Sequence, residues 1–184
     1  MGRHRFIIDA EVPLVQARNV LRSEVFGVDR LELTDASGAP LVRHVVRHPG
    51  AVVVVPETGD GRLVMIRNFR VAVQEWLWEF CAGKLERGED PALAAGRELE
   101  EETGHHAARI ARLGEFFTSP GFADERMHAF AASGLSRVPQ RLEPGERIEV
   151  EILPVAEVET MIHDGRIRDG KTIAAFALWR LRRT

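Results

Sequence analysis

The chain has 184 residues, 45% of them hydrophobic and 29% charged, with a net charge of −3. That length allows one well-buried domain plus an appendage, and the slightly acidic balance gives no basic footprint for nucleic acid. No apolar run approaches the ~20 residues needed to cross a bilayer, which argues against a membrane partner. MGRHRF at the N-terminus has no apolar stretch behind its basic residues, so it does not read as a secretion signal. A single cysteine, Cys81, rules out an internal disulfide and suits a reducing, cytoplasmic setting; it reads as a small apolar filler in a strand.

In chain order, residues 1–48 read as a small antiparallel sheet unit. Strand patterns over 19–26 and 30–34 are followed by the turn Asp35-Ala36-Ser37-Gly38, which leads into a third strand over 41–48. So small a sheet buries little by itself and should pack against something else, a second subunit included. From residue 49 the pattern becomes mixed α/β. Ala51-Val52-Val53-Val54-Val55 is a buried strand, 57–61 a turn and 62–69 another strand. Over 75–80 the residues Trp76, Trp78 and Phe80 alternate on one side, a pattern that favours core packing over stacking of a nucleobase. Further strands are expected over 108–117, 127–132 and 148–153. Loops are expected over 118–125 and 135–147, and helices over 154–163 and 171–181.

Between these elements, 83–105 reads GKLERGEDPALAAGRELEEETGH. Its second half is a predicted helix with Asp90 as N-cap, Pro91 at the first position and Gly104 as the left-handed residue after the last turn. Ala92, Ala95, Gly96, Leu99 and Thr103 would form its narrow inner face. Glu98, Glu101 and Glu102 fall at i, i+3 and i+4 and share another face, with Arg97 four residues ahead of Glu101. Like charges packed this closely call for a cation among them, and carboxylate oxygens suit a hard divalent ion, Mg²⁺ or Mn²⁺. Three glutamates alone describe a solvated helix face equally well.

The full spacing decides between these readings. Gly83, Glu89, Arg97, Glu98, Glu101, Glu102 and Gly104, with Leu99 as the inner apolar residue, match the Nudix box. Seven fixed residues at roughly 7% background usage arise by chance in about one in a million chains of this length. The sequence therefore resembles a Nudix hydrolase, with His105 departing from the apolar residue usual at that position. The resemblance implies an α+β fold in which a mixed β-sheet is sandwiched between helices, here over residues 49–184, with 1–48 as the added β unit.

Other stretches narrow the likeness. VRHPGAVVVVP, NFR, WEFCAGKLERGEDP, TSPGFADE, GERIEV and DGKT resemble bacterial ADP-ribose pyrophosphatases, and the likeness covers most of residues 17–184. Cys81 replaces a proline common in that subfamily, and the first sixteen residues match nothing in it. The resemblance implies that the Ala82 carbonyl, Glu98, Glu101 and Glu102 hold the metal. It also implies that Arg70 grips a phosphate with Lys84 as a further substrate contact, that Ser119 and Gly121 border the terminal ribose, and that Glu146 assists the attacking water, with Glu143 as reserve. The implied reaction is hydrolysis of ADP-ribose to AMP and ribose 5-phosphate by a homodimer whose N-terminal units swap. The alternatives are another nucleoside diphosphate derivative such as GDP-mannose, NADH or a dinucleotide polyphosphate, and a non-catalytic nucleotide-binding module. The intact glutamates of the box argue against the last.

Overall fold

The computed structural model describes residues 14–183, so the reading of the N-terminal MGRHRF segment lies outside the described residues. The chain forms two compact units. One holds the described residues up to His48 together with Ser119–Asp124; the other holds Pro49–Thr118 and the chain from Glu125 onward.

In the smaller unit β1 (Leu14–Arg22), β2 (Gly27–Thr34) and β3 (Pro40–Arg47) form an antiparallel sheet in that order. The β2–β3 turn falls where the sequence places it. Asp35 Oδ1 accepts the backbone N–H groups of Ser37 at 2.8 Å and Ala39 at 2.9 Å, and Gly38 takes φ 84°. The first strand ends earlier than its apolar pattern suggests. The Ser23 hydroxyl accepts the N–H groups of Val25 and Phe26 and donates to the Phe26 carbonyl, which closes a turn at 23–26. Asp124 ties the separate segment to this sheet by accepting from the His48 N–H and from Arg47 Nη1, each at 2.9 Å.

The larger unit runs β4 (Ala51–Pro56), β5 (Arg62–Arg70), β6 (Glu75–Glu79), β7 (Ala82–Lys84), α1 (Pro91–Thr103), β8 (His105–Phe117), β9 (Arg126–Arg137), β10 (Ile148–Pro154), α2 (Val155–His163) and α3 (Gly170–Leu181). One sheet has the order β7-β4-β9-β8, with β4 parallel to β9; the other, β10-β5-β6, is antiparallel. The unbroken apolar run of β4 follows from burial on both faces. Val53 and Val55 pack with Val158 and Met161 of α2 and with Ala175, Phe176 and Trp179 of α3. Val52 and Val54 pack with Ala94, Ala95 and Leu99 of α1. A mixed sheet between helices, the α+β arrangement expected, is the result.

In the larger unit two boundaries differ from the sequence reading by more than one residue. β8 starts directly after Gly104, and β9 continues to Arg137, which pairs with His105. Residues 135–137, read as loop from their polarity, are therefore strand, because β8 supplies a ladder partner that composition does not reveal.

Candidate active site

The site is built on α1, and its caps form as the sequence indicates. Asp90 accepts from the Ala92 N–H at 2.8 Å, Pro91 opens the helix, and Gly104 sits in the left-handed region at φ 65° with its N–H on the Glu100 carbonyl. The inner face is the expected one at Ala95, Leu99 and Thr103 but not at Ala92. Ala92 is exposed, and the buried residues are Ala94, Ala95, Glu98, Leu99, Glu102 and Thr103. Two of the three glutamates thus face inward.

Their surroundings are specific. A Cβ on Gly83 would overlap the Glu98 carboxylate, so the first glycine of the box is a glycine because Glu98 lies against its backbone. Glu102 Oε2 accepts the Ala82 N–H at 2.9 Å, which joins the helix to β7. Burial, against the pull of Arg97 and with the help of the Glu101 and Glu146 charges, pushes the Glu98 carboxyl up to about 7. Burial likewise pushes Glu102 up to about 8, helped by Glu98 and Glu146 and opposed by the Ala82 N–H and Arg70. Both values lie above the ordinary 4.5. The stability tied to the protonated forms is therefore complete below that value and is lost as the pH rises through about 7 and 8. Ionised at higher pH, the pair needs added positive charge.

Arg97 supplies part of that charge and does more than its expected pairing with Glu101. Its Nη1 reaches Glu98 at 2.7 Å and Glu101 at 3.0 Å, while Nε and Nη2 hold both oxygens of Glu89 at 2.9 and 3.1 Å. Its Nη2 also donates to the Lys84 carbonyl at 3.3 Å, which fastens the loop of the box to the helix. The oxygen donors of Glu98, Glu101 and Glu102 suit a hard divalent cation. Among the described residues no three such side chains converge on one point as they stand, since Arg97 draws Glu98 and Glu101 toward itself.

The remaining predicted residues fall as follows. Glu146, half-buried, is the loop glutamate whose charge acts on both Glu98 and Glu102; exposed Glu143 is instead the residue whose N–H Glu146 Oε2 accepts at 2.8 Å. Lys84 ends β7 with an exposed side chain. Arg70, at the end of β5, is also acted on by the charge of Glu102. Ser119 and Gly121 belong to the smaller unit, where the Ser119 carbonyl accepts the N–H groups of Phe122 and Ala123. The sequence reading missed Glu79, which is fully buried and takes Arg70 in a two-point grip. A glutamate set between Trp78 and Phe80 in an otherwise apolar run was the available signal.

A NUDIX domain model matches residues 46–176, and the chain belongs to the Nudix hydrolase family, whose members generally use divalent cations. The chain is similar to the ADP-ribose pyrophosphatase of Bacillus subtilis (strain 168), 34% identical over 91% of this chain and 95% of the relative. It is also 38% identical to the methanol dehydrogenase activator of Bacillus methanolicus, over 88% of this chain and 91% of that one. A crystal structure of an ADP compounds hydrolase superposes with a TM-score of 0.82 over 93% of each chain at 24% identity, a likeness of fold.

Proposed function

We propose that this protein hydrolyses the diphosphate bond of ADP-ribose, giving AMP and ribose 5-phosphate, with Mg²⁺ as the working cation and Mn²⁺ as a substitute. The observation that carries the reading is the pair of buried carboxylates on α1, Glu98 and Glu102, raised in pKa and lying within the field of a third, Glu146. The likeness to ADP-ribose pyrophosphatase over nearly the whole chain supports the substrate. Glu98, Glu101, Glu102 and the Ala82 carbonyl would hold the cation. Once bound, it supplies charge neutralisation of the diphosphate and acidifies a bound water.

The chain's own groups do the rest. Glu146, half-buried, accepts the proton of the attacking water. Arg70, with a planar guanidinium able to meet two oxygens at once, binds the diphosphate and steadies the charge left on the departing phosphate. Lys84 adds a second positive contact. The proposed places of Ser119 and Gly121 at the terminal ribose rest on the resemblance alone. A homodimer in the cytoplasm is part of the same proposal. No helix among the described residues is long and apolar enough to cross a membrane.

The test is Mg²⁺-dependent release of AMP from ADP-ribose by the wild type and by Glu102→Gln. The substitution should lower turnover by roughly three orders of magnitude, as the loss of several kcal/mol of charge stabilisation implies, while the fold survives. Undiminished turnover in the variant would remove Glu102 from the metal site.

A further inference from the structure

Beneath Arg70 lies a charge cluster that the reaction as drawn above does not use. Glu79, the last residue of β6, has no exposed surface, yet its carboxylate receives Arg70 Nε at 2.8 Å, Arg70 Nη2 at 2.5 Å and Lys171 Nζ at 2.6 Å. Lys171, in the first turn of α3, also stands 2.9 Å from Asp169 Oδ1. Asp169 caps that helix by accepting the Thr172 N–H at 2.9 Å and the Thr172 hydroxyl at 2.6 Å. The same hydroxyl oxygen accepts the Phe80 N–H at 3.0 Å, so the cluster locks α3 to the backbone just after Glu79. Two residues further on, Ala82 donates to Glu102.

Stability alone is a poor account of this arrangement. Burying two charges costs desolvation energy, and an apolar pair of similar volume often serves the fold as well or better. What the cluster does supply is direction. The fork fixes the plane of the Arg70 guanidinium at two of its nitrogens, and Nη1 has no hydrogen-bond partner among the described residues. The Arg70 side chain stays 38% exposed while Glu79 stays sealed beneath it. A guanidinium held in this way gives up less rotational freedom when it meets a phosphate than an unanchored one would.

We propose that Glu79, with Lys171 sharing its carboxylate, is a positioning residue that holds the Arg70 guanidinium at the angle in which its free edge meets a substrate phosphate. The inference rests on the phosphate-binding role given to Arg70 above, and Glu79 itself touches no substrate.

The experiment measures kcat, KM and thermal midpoint with Mg²⁺ for the wild type, Arg70→Ala, Glu79→Gln and the double variant, on whichever nucleoside diphosphate the wild type cleaves best. Glu79→Gln should raise KM about tenfold with a smaller change in kcat, the size expected when a charge-assisted fork is lost. In the Arg70→Ala background the same substitution should leave KM within about twofold, because the residue it positions is gone. A merely structural Glu79 would lower the thermal midpoint without that dependence on Arg70. Equal KM effects in both backgrounds, or an unchanged KM in Glu79→Gln, would overturn the proposal. If Glu79→Gln does not fold, Lys171→Met takes its place in the same cycle, with the same non-additivity expected and additivity again fatal. An unchanged KM in Arg70→Ala would remove the role of Arg70, and with it this inference. The substrate reading is judged separately, by which compound the wild type cleaves.

Discussion

Gly83 and Glu98 show how closely backbone and charge are fitted at the site. The glutamate carboxylate occupies the space that any side chain at position 83 would need. Gly83→Ala should therefore push Glu98 aside and lower turnover by about a hundredfold, the scale on which a 1 Å misplacement is felt, with the thermal midpoint little changed. Steady-state assay beside a melting curve checks this; full activity in the variant would mean that the position of Glu98 is not critical. The sequence spacing placed Glu98, Glu101 and Glu102 on one helix, but it could not tell which of them are buried, since that depends on what covers α1. Nor could it show that Arg97 holds Glu89 as well as Glu101, a contact that forms only when the loop folds back over eight residues.

At the scale of elements, local signals served best where the chemistry is local. Asp90, Pro91 and Gly104 each satisfy a requirement of a helix end that neighbouring residues alone define, and α1 begins and ends as they dictate. The Asp35 turn is legible for the same reason. The burial of β4 was readable from its unbroken run of valines, while its place in two cores is set by the helices packed on either face. Signals failed where a distant partner decides. Residues 135–137 are polar enough for a loop and become strand only because β8 lies alongside. The Glu79 cluster joins residues 92 apart in the chain, and no window of sequence contains it.

At the scale of the whole molecule, the smaller unit stands out for what it leaves uncovered. None of the described side chains of its three strands is buried, and Val20, Leu21, Val25, Phe26 and Val42 are exposed. Apolar side chains left exposed on so small a unit favour association. The proposed homodimer predicts about twice the chain mass of 20.6 kDa by light scattering at micromolar concentration, and a monomer there would contradict it. Hydrolysis of ADP-ribose is checked by product analysis of the wild type with Mg²⁺ against ADP-ribose, GDP-mannose, NADH and diadenosine polyphosphates. AMP and ribose 5-phosphate should appear fastest from ADP-ribose. Faster cleavage of another compound in the panel would contradict the substrate, and no cleavage of any with Mg²⁺ or Mn²⁺ would contradict the catalytic reading itself.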